Sequence, residues 1–413
     1  MTNLPPQLVR LAQRRTLGMR FDLDRLRAAL KCLGDPHQSF PALHVAGTNG
    51  KGSTAAMACA LLRSQGLRVG LYTSPHLVDF AERIVVDGEM IDQQALDRLL
   101  ERVLSVGDEL SFFDVATATA FAYFAEKAVD VAVVEVGLGG RLDSTNLVNA
   151  AVSAITSISL DHCAVLGGTI EQIAAEKAGI IRRSVPVVCT TQAPEVTAVI
   201  ASRCRELSAP LISAVERTRV LDDQRVCYRS ARCVVAPMAV PLAGRYQLDN
   251  AAIALAAVDE MAAALGRQLD LDALRSAWTA LSWPGRFERV GPLILDGAHN
   301  PAGIAALSAE LQAPIDLIYG QQPGRDPLQM LAPLRSKLRG VTFVRIPGVL
   351  SVEPAELRSL AGYGEVADDL VAALNVGAPT LVTGSIYLVG AVRALCLGRP
   401  LPAAVLSDPS SRQ

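Results

Sequence analysis

Short apolar runs alternate along the chain with segments in which leucine and alanine recur at helical spacing. A short, continuously apolar run predicts a strand that is buried on both faces, as in a parallel sheet covered by helices. Runs of this kind occupy residues 43–46, 67–73, 131–136, 152–158 and 185–190. Helical patterns separate them at 55–63, 92–106, 113–128 and 169–182, with others at 22–33 and 195–207. We therefore predict an α/β fold with a mostly parallel sheet flanked by helices.

The pattern changes after residue 210 and again after residue 282. Residues 210–241 read as short β-like pieces with arginines and turn residues, and helical patterns follow at 248–265 and 271–281. Beyond Trp283-Pro284-Gly285-Arg286 a second series begins, with predicted strands at 293–295, 315–319, 341–346 and 380–383. We predict an N-terminal domain over 1–285 and a smaller α/β, Rossmann-like domain over 286–413, in which the last ~10 residues are disordered.

Composition and charge exclude several classes of protein. Half of the 413 residues are apolar, 19% are charged, and the net charge is -2. No apolar run is long enough to span a bilayer, and residues 1–15 lack the order of a signal peptide. The absence of any lysine or arginine block argues against nucleic acid as a standing partner. We expect a cytoplasmic protein that binds neither membranes nor nucleic acid.

The eight cysteines are dispersed, and none forms a C-x-x-C pair. Most have apolar neighbours: Cys59 lies between two alanines, and Cys189 follows two valines. We therefore expect buried thiols, with neither a disulfide framework nor structural zinc.

The first apolar run leads into a glycine-rich segment, Gly47-Thr48-Asn49-Gly50-Lys51-Gly52-Ser53-Thr54. A strand, a glycine loop and a helix start in this order form a phosphate cradle, because small residues let backbone N–H groups approach an anion. The helix N-terminus adds partial positive charge, Lys51 can reach the outer phosphates, and Ser53 or Thr54 offers a hydroxyl. We therefore predict an ATP site in a P-loop-type domain.

The match to the common P-loop is incomplete. That pattern requires a glycine five residues before Gly50 and a hydroxyl residue after Lys51, where this chain has Val45 and Gly52. The alternative is a glycine-rich turn between a buried strand and a helix. Only five of the 39 basic residues are lysine, however, so a lysine at this point favours the phosphate-binding interpretation.

A carboxylate and a second glycine-rich segment lie at the end of run 131–136. Glu135 is followed by Val136 and then by Gly137-Leu138-Gly139-Gly140-Arg141-Leu142-Asp143-Ser144-Thr145-Asn146. A dinucleotide fingerprint would need a third glycine at 142, which is leucine. A carboxylate at the carboxyl edge of a parallel sheet suits magnesium, which prefers a few carboxylates together with nucleotide phosphates. The alternative is a side chain that is merely solvated at a strand end.

His162 and Lys177, two polar residues further along the sequence, are harder to interpret from the pattern alone. His162 follows the run 152–158, so it is either a hydrogen-bonded structural histidine or a site residue at the same sheet edge as Glu135. Lys177 lies in the apolar helix predicted at 169–182, and this pattern alone favours an ordinary surface lysine.

Two more loops at predicted strand ends contain candidate site residues. Ser74-Pro75-His76-Leu77 follows the second run, and Arg83 beyond it could pair with a substrate carboxylate. In the second domain, Asp296-Gly297-Ala298-His299-Asn300-Pro301 follows a predicted strand, and Pro301 fits the first turn of a helix. We expect Asp296 and His299 to face what the first domain binds, which predicts an active site between the domains.

Together these segments resemble the folylpolyglutamate synthase / dihydrofolate synthase family, a branch of the Mur-type, ATP-dependent amide ligases. The incomplete P-loop is itself typical of that family. The resemblance extends over nearly the whole chain, in segments 47–54, 74–77, 135–146, 160–162, 176–180, 248–252, 285–288, 296–301 and 383–390.

The resemblance implies the cofactors and their ligands. ATP would contact the loop 47–54 and also Asn250, Arg286, Asp296 and His299, and the catalytic residues would be Lys51, Lys177 and His299. One magnesium ion would be held by Ser74 and Glu135, and a second by Glu135, His162 and Lys177 in carbamylated form. Carbamylation turns the lysine from a cation into an anion suited to magnesium. A monovalent cation is an additional candidate cofactor.

The resemblance also implies the other two substrate sites. The pteridine pocket would be formed by Met19, Phe21, Phe113, Asp143 and Ser144, with Arg83 near the benzoyl end. Ser385 and Tyr387 would lie near the incoming glutamate. The segment Leu110-Ser111-Phe112-Phe113-Asp114 suits a family member that also accepts dihydropteroate.

The implied activity is addition of L-glutamate to dihydropteroate and to reduced folates, through an acyl phosphate, by a monomer. A monofunctional folylpolyglutamate synthase is the first alternative. A ligase of cell-wall precursors is disfavoured because no UDP-binding domain precedes the loop at residue 47. A GTP-binding regulatory switch is disfavoured because none of the five lysines is followed two residues later by aspartate.

Overall fold

The chain forms two compact units. The computed structural model describes residues 4–18, 22–221, 224–279, 281–312, 314–367, 369–374, 376–402 and 406–407. The first unit comprises Met1–Pro75, Ala81–Pro241 and Arg245–Ser282, and the second comprises His76–Phe80, Leu242–Gly244 and Trp283–Gln413. The main division lies close to the boundary expected at 285/286, whereas the two short segments of the second unit were not expected. That residues 1–285 form an ATP-binding domain and residues 286–413 a glutamate-ligase domain stays a prediction.

The first unit is an α/β structure. Its strands are β1 (Ala42–Ala46), β2 (Val69–Tyr72), β3 (Ile84–Val86), β4 (Glu89–Met90), β5 (Val131–Glu135), β6 (Ala150–Ile155), β7 (Val187–Cys189), β8 (Leu211–Ser213), β9 (Thr218–Val220), β10 (Arg225–Arg229) and β11 (Val234–Ala239). Its helices are α1 (Pro6–Gln13), α2 (Asp24–Cys32), α3 (Lys51–Ser64), α4 (Gln93–Val106), α5 (Phe112–Glu126), α6 (Cys163–Leu166), α7 (Ile170–Ala178), α8 (Pro194–Glu206), α9 (Ala214–Arg217), α10 (Tyr246–Ala264) and α11 (Leu271–Ala277).

Over the described residues, the main sheet has the strand order β4-β3-β2-β5-β1-β6-β7-β8. The strands from β2 to β8 in this order run parallel, and β3 and β4 add an antiparallel edge. Every residue of β1 and β5 is buried, because helices cover both faces of a parallel sheet. The predicted mostly parallel sheet is therefore confirmed.

A small antiparallel sheet, in the order β11-β10-β9, accounts for most of the region that looked β-like in the sequence. It is tied to the C-terminal half of α10 by buried polar contacts. The Tyr228 hydroxyl donates a hydrogen bond to Asp259 at 2.8 Å, and the Arg232 guanidinium donates to the same carboxylate at 2.9 Å. The remaining piece, β8, instead joins the edge of the main sheet.

The second unit is a smaller α/β structure. Its strands are β12 (Glu288–Val290), β13 (Leu293–Leu295), β14 (Ile315–Tyr319), β15 (Leu338–Phe343), β16 (Glu365–Val366) and β17 (Thr380–Thr383). Its helices are α12 (Pro301–Glu310), α13 (Pro327–Leu331), α14 (Pro354–Ala361), α15 (Leu370–Ala373) and α16 (Ile386–Cys396). The sheet order is β12-β13-β17-β14-β15-β16, with β12 antiparallel to β13.

Alternating side chains give this second sheet two apolar faces. Ile294 and Leu381 pack in one cluster with residues of α12, α13 and α14, whereas Leu295 and Val382 pack in another with residues of α16. Successive side chains of a strand point to opposite faces, so a continuous apolar strand needs helices on both sides.

The expectation that most thiols are buried was wrong. All eight cysteines are free, and only Cys59 and Cys204 are buried. Cys32, Cys163 and Cys396 are exposed, and each lies at the first or last position of a helix. Apolar sequence neighbours therefore did not report the burial of these side chains.

Two further expectations concern the chain end and membranes. Leu406 and Ser407, in the tail expected to be disordered, are each 3% exposed, and the other residues from 403 onwards lie outside the described residues. Within the described part of the chain, no helix has the length and apolar character needed to cross a membrane.

Candidate active site

Four neighbouring parallel strands of the first unit end at one edge of the sheet. β1 leads into the glycine-rich loop, β2 leads to Ser74, β5 ends at Glu135, and β6 leads to Ser157. From β1 the chain passes to β2 and β5 on one side of β1, and from β5 it crosses to β6 on the other side. Ligands of open α/β sheets bind in the crevice at such a point.

Two glycines of the phosphate loop are required by close packing. A Cβ atom on Gly47 would lie 1.8 Å from Thr156 Oγ1, and one on Gly50 would lie 2.2 Å from Asn250 Oδ1. Gly50 also has a φ of 87°, a backbone conformation that L side chains rarely adopt. The predicted nucleotide residue Asn250 therefore lies directly against the loop.

The segment after β6 holds the loop in place. The N–H groups of Thr48 and Asn49 donate to the Ser157 carbonyl at 2.8 and 3.3 Å, and Thr48 Oγ1 donates to the Ser159 carbonyl at 3.1 Å. Lys51 begins α3 and its Nζ donates to the Thr48 carbonyl at 3.2 Å. The first-turn amides of a helix have no partner within the helix, so this geometry suits an anion.

Gln247 is a residue that the sequence analysis missed. Its Nε2 donates to Ser53 Oγ at 3.3 Å, and its Oε1 accepts from Asn250 Nδ2 at 2.8 Å. Gln247 and Thr54 are 0% exposed and Ser53 is 1% exposed, so the hydroxyls of Ser53 and Thr54 are enclosed. The spacing of Gln247 and Asn250, one helical turn apart at the start of α10, was the available signal.

The structure brings together two predicted metal ligands. Glu135 is 5% exposed, and its Oε2 accepts a hydrogen bond from the Ser74 N–H at 3.1 Å. Carboxylate and hydroxyl oxygens are ligands that magnesium prefers. Across the described ranges, no group of three or more His, Cys, Asp or Glu side chains is arranged to hold a metal ion.

Lys177 is buried, so the interpretation as a surface lysine was wrong. It is 4% exposed, and its Nζ donates to the Gly47 carbonyl at 2.8 Å. Burial, together with the nearby charge of Lys51, lowers the pKa of Lys177 to about 7. The physical reason is that the last turn of α7 lies on the glycine loop after β5, where Gly140 closely approaches the carbonyls of Glu176 and Lys177.

His162 lies at the N-cap of α6 with a left-handed backbone, φ 52°. Its N–H donates to Asp161 Oδ1 at 2.9 Å, and its ring Nε2 lies 3.9 Å from the same carboxylate. The side chain is 32% exposed, which leaves the ring accessible at the sheet edge. Its predicted role as a metal ligand stays a prediction.

The predicted pteridine residues Asp143 and Ser144 lie in the loop after β5 and are engaged by neighbouring groups. Asp143 accepts hydrogen bonds from the N–H groups of Leu138 and Thr145 at 2.8 and 3.0 Å. Burial raises the pKa of Asp143 to about 6, although these hydrogen bonds oppose the shift. Ser144 Oγ donates to Asp114 Oδ1 at 2.7 Å.

The other predicted acceptor residues have different positions. The Phe113 ring lies against Gly137, where a Cβ atom would come within 2.3 Å of it. Arg83 is 0% exposed, with its guanidinium carbon 5.6 Å from the centre of the Phe112 ring, so this structure shows no solvent-facing charge there. Met19 and Phe21 lie outside the described residues.

In the second unit, three predicted nucleotide residues surround Gly297. A Cβ on Gly297 would lie 2.4 Å from Arg286 Nη1, and the Gly297 carbonyl is 2.8 Å from His299 Nδ1. Asp296 accepts from the N–H groups of Phe287 and Ala298, both at 2.9 Å. Arg286, Asp296 and His299 therefore share one local cluster.

The loop from β17 to α16 lies next to this cluster. The Gly384 N–H and the Thr383 hydroxyl donate to the Ala298 carbonyl at 3.1 and 3.2 Å. Ser385 is the N-cap of α16, and its Oγ accepts from the Tyr387 N–H at 3.2 Å. Their predicted contact with glutamate stays a prediction.

This combination of fold and loops defines a class of protein. Residues 45–258, which include the phosphate loop, Glu135 and Lys177, match the model of the Mur ligase middle domain. The first unit is thus built like the central domain of a Mur-type ligase.

Individual relatives narrow the class. The folylpolyglutamate synthase of Lacticaseibacillus casei is 36% identical, with 91% of this chain and 95% of that protein covered. The dihydrofolate synthase/folylpolyglutamate synthase of Mycobacterium tuberculosis is 35% identical, with 90% and 89% covered. The structure of E. coli FolC in complex with DHPP and ADP has a TM-score of 0.86 at 30% identity and covers 95% and 98%. The chain belongs to the folylpolyglutamate synthase/dihydrofolate synthase family.

Proposed function

We propose that this chain is an ATP-dependent ligase that joins L-glutamate to dihydropteroate and to reduced folates, including their polyglutamates. The observation that supports this best is the phosphate loop of a Mur-type domain with a buried lysine against it. Lys177 Nζ lies 2.8 Å from the Gly47 carbonyl, and Lys51 lies over the same loop. Family membership supplies the acceptor class.

The chain's own residues suit phosphoryl transfer. ATP phosphates would lie on the first-turn amides of α3, and the Lys51 ammonium would offset charge on the transferring group. An acceptor carboxylate oxygen attacks the γ-phosphorus, the bond to the ADP oxygen breaks, and an acyl phosphate forms. The glutamate amine then attacks the acyl carbon, loses a proton and expels inorganic phosphate. We also propose nucleotide contacts for Asn250, Arg286, Asp296 and His299.

The side chains at the carboxyl ends of the parallel strands suit magnesium. Ser74 and Glu135 would hold one ion, and Glu135, His162 and Lys177 would hold a second. Bound magnesium neutralises phosphate charge and orients the nucleotide. An ammonium group does not suit a cation site, but a pKa of about 7 leaves a large share of Lys177 uncharged at neutral pH. An uncharged amine adds carbon dioxide and releases a proton to give a carbamate. A monovalent cation is a further proposed cofactor.

The acceptor site is proposed at the loop after β5. Phe113 offers an aromatic face beside Gly137, and Asp143 and Ser144 offer polar groups on the same loop. Arg83, Met19 and Phe21 are proposed contacts on the strength of the family resemblance alone. For glutamate we propose Ser385 and Tyr387. A monomer in the cytoplasm is likewise proposed from the sequence.

The experiment supplies the purified protein with ATP, magnesium and glutamate, together with dihydropteroate or tetrahydrofolate in separate reactions, and reads product masses. Products one glutamate heavier from both acceptors would support the bifunctional proposal. A product from the folate alone would leave a monofunctional folylpolyglutamate synthase. No product from either acceptor would contradict the proposed function.

A further inference from the structure

A chain of buried hydrogen bonds links β1 to the glycine-rich loop after β5. His44, in the middle of β1, lies with its Nε2 2.9 Å from Thr145 Oγ1. The Thr145 hydroxyl donates to Asp143 Oδ1, and Asp143 Oδ2 accepts from the Leu138 N–H at 2.8 Å. His44 and Thr145 are 0% exposed and Asp143 is 7% exposed. The proposed reaction gives His44 no role.

The direction of each bond follows from the chemistry of the groups. A threonine hydroxyl has one hydrogen, and an ionised carboxylate only accepts. The Thr145 hydroxyl therefore donates to Asp143 and must accept from His44, so the His44 proton is on Nε2. Burial lowers the pKa of His44 to about 3, and the charge of Arg182 adds to the shift, so the ring is neutral.

A histidine at position 44 lowers the stability of the fold relative to an apolar residue, so its presence needs a reason. The bond to Thr145 is that reason. Among the described residues, the buried Nδ1 of His44 has no hydrogen-bond partner. A buried polar atom without a partner destabilises a fold, and an apolar residue in a central strand would avoid that cost. The contact that distinguishes His44 from an apolar residue is its Nε2–H bond to Thr145.

The last group in this series of hydrogen bonds is the Asp143 carboxylate, which is held by its own loop. Asp143 accepts from the Thr145 N–H at 3.0 Å, in addition to the Thr145 hydroxyl and the Leu138 N–H. Together with the Gly137 N–H, which also contributes a hydrogen bond, these donors fix the orientation of the carboxylate and the path of the loop between Gly137 and Thr145. Asp143 is still 7% exposed, so a carboxylate held in one orientation can present an acceptor oxygen to a ligand.

We propose that His44 is a positioning residue that acts through Thr145 to orient Asp143 towards N–H donors of the acceptor's 2-amino-4-oxopteridine ring. This inference rests on the proposed function. β1 would then contribute to two sites. His44 would act on the acceptor site, and the same strand leads into the phosphate loop three residues later.

Matched variants test the proposal by kinetics. His44→Leu and Thr145→Val remove the bond, whereas His44→Gln keeps a donor near the place of Nε2 and Thr145→Ser keeps the hydroxyl. In the first pair we expect KM for dihydropteroate and tetrahydrofolate to rise about tenfold, while KM for ATP stays within about twofold. The second pair should resemble the unaltered protein. An unchanged acceptor KM in Thr145→Val, or an equal rise in KM for ATP, would overturn the proposal.

A second measurement does not depend on activity. The imidazole nitrogen shifts of His44 in the full chain should show a neutral ring protonated at Nε2, and exchange of the Leu138 amide should speed up in Thr145→Val but not in Thr145→Ser. A ring protonated at Nδ1, or equal exchange in both variants, would contradict the hydrogen-bond chain. If these measurements confirm the hydrogen bonds but neither folate acceptor is used, the proposed function fails. The assignment of Asp143 to the pteridine ring then fails with it.

Discussion

The Nζ atom of Lys177 lies 2.8 Å from the carbonyl oxygen of Gly47, which joins the last turn of α7 to the first residue of the phosphate loop. The side chain is 4% exposed, and its pKa is lowered to about 7 chiefly by burial. A buried ammonium is normally paired with a carboxylate, whereas this one faces a carbonyl. The arrangement favours a lysine that functions without its positive charge.

Lys177→Met tests this interpretation. We expect kcat to fall by roughly 100-fold or more, because a proposed ligand of the second magnesium ion is lost. The free energy of unfolding at neutral pH should not fall, since the thioether suits the buried position better than an ammonium. Activity and the denaturant midpoint are measured side by side. Lys31→Met, at an exposed lysine, is the control, and a Lys177 variant that keeps full activity would contradict the interpretation.

Gly50→Ala tests the fit of the phosphate loop. The new methyl group would meet Asn250 Oδ1 at 2.2 Å and would also be strained by the φ of 87°. We expect kcat/KM for ATP to fall at least about tenfold, because the loop must shift. Gly66→Ala is the matched control: its φ is 73° but no atom lies within 4 Å, so it should cost about 1 kcal/mol of stability without changing ATP kinetics. Equal ATP kinetics in both variants would contradict the account.

Gln247→Leu tests the support given to the loop by α10. The change removes the donor to Ser53 Oγ and the acceptor for Asn250 Nδ2. We expect KM for ATP to rise about tenfold and stability to fall by about 1–2 kcal/mol, since two buried polar groups lose a partner. Steady-state kinetics and denaturant unfolding measure the two effects. Gln268→Leu, at an exposed glutamine, should change neither, and a normal KM for ATP in Gln247→Leu would count against the assignment.

The pKa of His44 predicts an acid-sensitive contribution to stability. The folded-state pKa is about 3, below the ordinary value of 6.5, so the unfolded chain binds the proton first as the pH falls. The free energy of unfolding is therefore not reduced by protonation of His44 above about pH 6.5. Below that pH it falls towards pH 3, by up to about 1.4 kcal/mol per pH unit. Denaturant unfolding between about pH 7 and pH 4 should show a shallower decline for His44→Gln, which does not titrate. Parallel declines in the two proteins would contradict the prediction.

Local patterns predicted the parts of the fold that depend on local interactions. The run into Gly47, the glycine loop and the helix beginning at Lys51 are adjacent in sequence, so periodicity and glycine placement were sufficient. The hairpin of β3 and β4 was missed, although Asp87-Gly88 between the two strands is a typical two-residue turn. Both strands are short, which weakened the alternation that a longer strand would show.

Contacts between segments that are far apart in the sequence could not be predicted from local patterns. The burial of Lys177 depends on the close approach of Gly140 to the end of α7, and a helical pattern alone suggested a surface position. In the same way, His44 looked like one more strand residue, because its partner Thr145 is separated from it by 101 positions. Such relationships follow from topology rather than from spacing.

The central claim is that ATP activates the acceptor carboxylate as an acyl phosphate. The most direct measurement uses an acceptor whose carboxylate oxygens are ¹⁸O-labelled, with ATP, magnesium and glutamate, and analyses the released inorganic phosphate by mass. The account predicts one ¹⁸O atom in each phosphate, formed together with ADP and with a product one glutamate heavier. Unlabelled phosphate alongside the same product would contradict it.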